Sequence, residues 1–146
     1  MIRVVIDTNV VVSANLRDEG LPAAILDLAA NKTILMCVSE AVLAEYKEVL
    51  NRPRLKLSPQ RIARSLSVIR KTSLLVKPTR TVTLIKDDEP DNRLLECAHA
   101  AGAEYLVTGN TRHFPKTFEA TTILPPKRFI DLVLPRLVKL RHEKLR

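Results

Sequence analysis

The sequence predicts an α/β protein, a three-layer α/β/α sandwich around a mostly parallel sheet. Three observations carry that prediction. The runs IRVVI at 2–6, TILMCV at 33–38 and YLVT at 105–108 are short, β-branched and almost wholly apolar, as strands buried on both faces must be. Segments of helical periodicity alternate with them, the pattern of a sheet covered by helices. With 146 residues, 46% of them hydrophobic and 27% charged, the chain has the size and composition of one domain with its own core.

The first strand, 2–6, ends at a polar turn, Asp7-Thr8-Asn9. PAAILDLAA, following Leu21, reads as a helix because Pro22 is tolerated in a first turn. After the strand 33–38, Ser39 is placed to cap a helix running to about Asn51. Pro53 closes that helix, and Ser58-Pro59 opens another that ends near Lys71. Leu74–Val76 and Val82–Ile85 read as short extended pieces around Pro78. Asp87-Asp88-Glu89-Pro90 turns into a helix starting at Asp91 and stopped by Gly102. Strand 105–108, a Gly109-Asn110 turn and a strand at 121–124 follow. A last helix after Pro125-Pro126 is expected to end near Leu134, dividing a domain at 1–134 from a basic tail at 135–146.

No apolar run approaches the ~20 residues of a membrane span, and nothing at the N-terminus resembles a signal peptide. Cys37 and Cys97 stand sixty positions apart without ligand-type spacing, so they read as two buried thiols and the protein as cytoplasmic. With 3 glycines there is neither a GxGxxG nor a Walker loop, which removes the corresponding nucleotide-binding classes.

The net charge of +8 is unevenly placed. Residues 49–86 hold 10 basic side chains and no acidic one, residues 1–48 and 87–135 each balance at −3, and residues 136–146 at +4. A polyanion is the natural partner of such a block.

Ligands of an open parallel sheet bind beyond the carboxyl ends of its strands. Asp7 follows the first strand there. Glu45 lies at the edge of the apolar stripe formed by Val42, Tyr46 and Val49, making it the acid of its helix best placed to reach inward. Asp91 begins the helix after the DDEP turn, where it also fits as an N-cap, and Asn110 follows YLVT. Two carboxylates about 4 Å apart repel by roughly 4 kcal/mol at an effective dielectric near 20. A site that collects three needs a cation, and oxygen ligands suit Mg²⁺ or Mn²⁺.

VIDTNVVVSA, SEAVLAEYKEVL, DDEPDNRLLECAHAAGAEYLVTGNTRHF and ILPPKRFIDLV, in this order, resemble the PIN-domain ribonucleases. Within that family the chain is most similar to the toxin components of bacterial and archaeal toxin–antitoxin pairs. The resemblance spans residues 1 to about 134. It implies that Asp7, Glu45 and Asp91 hold Mg²⁺ or Mn²⁺ and cut RNA to leave a 3′-hydroxyl and a 5′-phosphate. It also implies supporting roles for Thr8, Asn9, Asn92 and Thr108, an antitoxin partner and a homodimer. Asn110 stands where many members carry a fourth acid, and its neutral oxygen favours a single resident ion.

Arg52, Arg54, Arg61 and Arg64, with Arg112 and His113 near the mouth, are expected to hold RNA by phosphate contacts that position it without reading its sequence. Three Phe, two Tyr and no Trp leave little for a base-stacking platform. His113 reads as a solvated loop residue and His99 as a partly buried helical one. Two other functions compete. A haloacid-dehalogenase-type phosphatase needs Asp two residues after the first, where this chain has Asn9. A PIN-like module that binds RNA or protein without cleaving it is the non-enzymatic alternative.

Overall fold

The computed structural model describes residues 1–145. In chain order the elements are β1 (Arg3–Ile6), α1 (Thr8–Leu16), α2 (Leu21–Ala30), β2 (Leu35–Val38), α3 (Glu40–Leu50) and α4 (Pro59–Thr72). Then come β3 (Leu74–Leu75), α5 (Glu89–Ala101), β4 (Tyr105–Val107), β5 (Thr117–Phe118), β6 (Thr121–Leu124) and α6 (Pro126–Lys144). The six strands form one sheet in the order β3-β2-β1-β4-β6-β5. Every pairing is parallel except β5 with β6. The expected α/β/α sandwich is thus the observed fold.

Consecutive residues of β1, β2 and β4 are buried, so both faces of the sheet centre are covered. α5 packs on β1, β2 and β4, and α6 packs on β4 and α2. Tyr105 meets Phe129 edge-to-face, ring centroids 5.5 Å apart. Cys37 and Cys97 are buried free thiols, as expected, and burial pushes them to about 11 and about 12. No described helix is long and apolar enough to cross a membrane.

From β1 the chain runs outward through β2 to β3, then returns to lay β4 on the other side of β1. Strand order therefore reverses between β1 and β4. The gap beyond their carboxyl ends is where this kind of sheet accommodates a ligand. Tyr46 of α3, fully buried, donates its hydroxyl to the Ile6 carbonyl at the end of β1 and so fixes α3 to the rim of that gap.

Five local expectations need correcting. Residues 8–16, expected to begin as a polar turn, form α1. TNVVVSANL has weak helix propensity and no clean amphipathic stripe, and it is helical because Val10 and Val11 are buried against the core. Val82–Ile85 is not a strand, because its backbone bonds to side chains of α5 and not to the sheet. Val82 N–H donates to Glu96 at 2.8 Å, and Asn92 both accepts from Ile85 N–H at 2.8 Å and donates to its carbonyl at 2.7 Å. α5 starts at Glu89 with Asp88 as its N-cap, not at Asp91. α6 passes through Pro135 to Lys144, so the expected boundary at 134/135 falls inside one helix. Proline forgoes one helical hydrogen bond there, and Arg136, paired with Glu104, ties the extension back to the domain. His99 is exposed and paired with Glu119, not partly buried.

Asn92 thus fastens a strap, residues 82–85, along α5 and just ahead of Asp87 and Asp88. Asn92→Ala strips two partners from the Ile85 backbone and should cost about 2–3 kcal/mol. Urea unfolding measures the loss, and hydrogen exchange should show faster exchange at the Ile85 amide. Unchanged protection there would contradict the clamp.

Candidate functional site

Asp7 is 6% exposed and directly follows β1. Its backbone opens α1, with Val10 N–H donating to the Asp7 carbonyl at 3.0 Å, while its side chain makes no capping bond. The carboxylate is instead held from the neighbouring strand. Thr108, fully buried just after β4, donates its hydroxyl to Asp7 Oδ2 at 2.7 Å, and Asn9 Nδ2 lies 3.4 Å from the same oxygen. Asn9 in turn accepts from Gly109 N–H at 3.0 Å, and Asn110 N–H donates to Thr108 Oγ1 at 3.0 Å. The two strand ends that define the gap are therefore tied by polar side chains. Burial raises the Asp7 pKa, although the Thr108 hydroxyl and the Thr8 N–H oppose the shift.

Asp91 comes from a different element, the first turn of α5, and is 7% exposed. Asp88 caps the helix by accepting from Asp91 N–H at 3.1 Å, which leaves the Asp91 side chain free of capping duty. Burial first, then the charges of Asp7 and Asp88, push the Asp91 carboxyl up to about 7. Its Oδ2 is fully buried and has no hydrogen-bond partner among the described residues. His113 Nδ1 stands 3.4 Å from that oxygen without bonding geometry. Ligand atoms of Asp88, Asp91 and His113 lie within 4.8 Å of one another.

Asp7 and Glu45 both lie outside that trio; Asp7 acts on it through its charge. Glu45 is half-buried on α3 and lines a small cavity of about 160 Å³ with Thr8, Val42, Glu89, Arg93 and Leu94. Burial and then Glu48 raise its pKa, and the charges of Asp7 and Asp88 add to the rise, so Glu45 senses the same negative field. Asn110 is exposed and borders a different hollow with Asn9, Ser13 and Gly109. Thr8 is buried at the mouth, whereas Asn92 serves the strap at Ile85.

Sequence reasoning missed Asp88 and did not see His113 as an Asp91 neighbour. The available signal was the spacing: an N-cap Asp and an acid three residues on share one helix end. His113 closes a 3₁₀ turn, Thr111–His113, between Thr108 and the buried Phe114, and so returns to the gap.

The basic block is less uniformly available than its composition suggests. Arg52 pairs with Glu48, Arg61 with Asp18, Arg70 with Glu40 and Arg80 with Glu119. Arg61 and Arg64 border a hollow of about 450 Å³ that shares no lining residue with the acidic cluster. Among the described residues, Arg54, Lys56, Arg64, Lys71, Lys77 and Lys86 of the block are exposed and make no ion pair, and the same holds for Arg112, which adjoins His113 in sequence.

A buried carboxylate oxygen without a donor, beside Asp7 and Glu45 whose carboxyls are also raised by burial, is the arrangement a divalent cation relieves. The donor set, carboxylates with one imidazole nearby, suits such an ion.

The sequence profile described as PIN domain matches residues 3–112. An uncharacterized protein of Methanocaldococcus jannaschii is 30% identical over 112 residues, covering 75% of this chain and 71% of its own.

An acid with a folded-state pKa above its unfolded value takes up a proton on folding, so its stabilising contribution fades as pH rises between the two. For Asp91 that window runs from 3.8 to about 7. Melting of the metal-free protein in EDTA should show Asp91→Asn gaining on the wild type across that interval. Parallel curves for the two proteins would contradict the shift.

Proposed function

The chain belongs to the PIN-domain family, whose members are generally nucleases, and on that premise we propose that it is a metal-dependent endoribonuclease and the toxin of a toxin–antitoxin pair. One observation carries the reading: Asp7 at the end of β1 and Asp91 in the first turn of α5 are both desolvated, the Asp7 charge acts on Asp91, and Asp91 Oδ2 has no hydrogen-bond partner among the described residues. Asp7 and Asp91 would hold Mg²⁺ or Mn²⁺, with Glu45 contributing through water and Asn110 offering a neutral oxygen. When bound, such an ion activates water and offsets charge on the phosphoryl oxygens.

The chain's own residues supply the framework. Thr108 and Asn9 fix the orientation of the Asp7 carboxylate. The first turn of α5 presents Asp91 where the helix dipole favours negative charge. Arg54 and Arg112, exposed and without ion pairs among the described residues, would hold phosphates beside the gap, with Arg52, Arg61, Arg64 and His113 further contacts. Few aromatic residues are available to stack bases, so a flexible RNA held by its backbone is the favoured substrate. An antitoxin presenting acidic or substrate-mimicking groups, a homodimeric assembly and a cytoplasmic setting complete the reading.

Cleavage of an RNA with single-stranded and loop segments should require Mg²⁺ or Mn²⁺ and stop in EDTA. Asp7→Asn and Asp91→Asn should each lower the rate by about 100-fold or more. Full activity in both variants would end the reading, and tight salt-sensitive binding without cleavage would mark a binding module instead. Arg54→Ala and Arg112→Ala should leave cleavage chemistry intact, yet each should reduce the salt slope of RNA affinity by about 0.7. An unchanged slope would remove those residues from the RNA track.

A further inference from the structure

We propose that His113 is a metal-binding residue, and that Asp88, Asp91 and His113 form a mixed carboxylate–imidazole site that favours Mn²⁺ over Mg²⁺. This rests on the metal centre proposed above: it shares Asp91 with that centre and adds Asp88 and a nitrogen ligand, while Asp7 stands outside the trio.

The geometry suits one ion. Ligands about 2.0–2.2 Å from a common octahedral ion lie about 3 Å apart when adjacent and a little over 4 Å apart when opposed. The ligand atoms of the three residues fall within 4.8 Å of one another, and His113 Nδ1 is 3.4 Å from Asp91 Oδ2. That separation is near the edge of such a polyhedron, yet the pair does not form a hydrogen bond, and Asp91 Oδ2 is left buried and unpartnered.

The backbone holds each group in place. Asp88 uses Oδ1 to cap α5 through Asp91 N–H, so Oδ2 is the oxygen not engaged by the cap. Upstream, Asn92 pins Ile85 three residues before Asp88. His113 is fixed by its N–H donating to the Asn110 carbonyl at 3.1 Å and by Phe114, buried immediately after it. The histidine side chain is 52% exposed, which leaves its ring room to turn onto an ion.

The chemistry then sets the preference. Two carboxylates match a dication in charge. Mg²⁺ takes oxygen ligands and gains little from imidazole, whereas Mn²⁺ and the later divalent metals accept imidazole nitrogen readily.

Electron paramagnetic resonance of the full-length protein titrated with Mn²⁺ tests this, with Mg²⁺ competition on the same samples. The wild type should bind Mn²⁺ and show pulsed-resonance coupling to an imidazole ¹⁴N. His113→Gln should lose the coupling and weaken Mn²⁺ binding about tenfold or more, no less than losing a group that only supports a ligand costs, while Mg²⁺ affinity moves far less. His99→Gln, at an exposed position paired with Glu119, should retain both signals. Bound Mn²⁺ without ¹⁴N coupling, or coupling that survives His113→Gln, would overturn the nitrogen ligand and leave the acidic metal centre standing. Absence of any Mn²⁺ binding sensitive to Asp91→Asn would overturn both.

Discussion

The organising constraint of this molecule is electrostatic: carboxylates from separate elements are withdrawn from water into one end of a parallel sheet. Desolvation raises Asp7, Glu45 and Asp91 above ordinary carboxylate behaviour, and for each a neighbouring acid raises it further. Nothing in folding alone favours such a cluster, because buried like charges oppose one another. The apolar sheet and its covering helices must hold it. Continuous burial along β1, β2 and β4, with Tyr46 anchored to the end of β1, provides that support. A region held against its own electrostatics is where a cation has the most to contribute.

The sheet order makes the gathering possible. Because the chain crosses back to place β4 beside β1, residues about a hundred positions apart meet at adjacent strand ends. Thr108 to Asp7 and Gly109 to Asn9 are the two bonds that register this meeting. α5 packs on β1, β2 and β4, and its N-cap Asp88 relieves Asp91 of any capping role. The strap at 82–85 is a second consequence of the same helix: Asn92 and Glu96 take the place of a neighbouring strand, and the chain enters α5 through Asp87, a residue in the left-handed region.

Much of this was legible in the sequence, and the misses have definite causes. The strands and most helices were readable because apolar runs, Ser39, Ser58-Pro59 and Gly102 mark their limits through local chemistry. α1 was not, since TNVVVSANL is helical by tertiary burial and not by propensity. Val82–Ile85 looks like a strand in composition, but no pattern reveals that its hydrogen bonds end on side chains of a helix. The α6 extension was hidden by Pro135, an expected breaker tolerated at the cost of one bond. At the site, Asp7 and Asp91 could be placed from strand and helix ends. Asp88 and His113 could not, because an N-cap and a loop histidine gain a second role only when the fold brings them together. Glu45 is half-buried beside the buried Val42, Tyr46 and Val49, and both it and Asp7 stand outside the tightest cluster. The basic block promised more free cations than the fold leaves, since several pair with acids distant in sequence.

The central claim is that the buried, partnerless oxygen of Asp91 is a ligand awaiting a cation. Anomalous diffraction from crystals soaked in Mn²⁺ tests it most directly. The account predicts a peak about 2.2 Å from Asp91 Oδ2 and within bonding reach of His113 Nδ1. A well-ordered gap with no peak at that oxygen, or an ion bound only elsewhere on the surface, would contradict it.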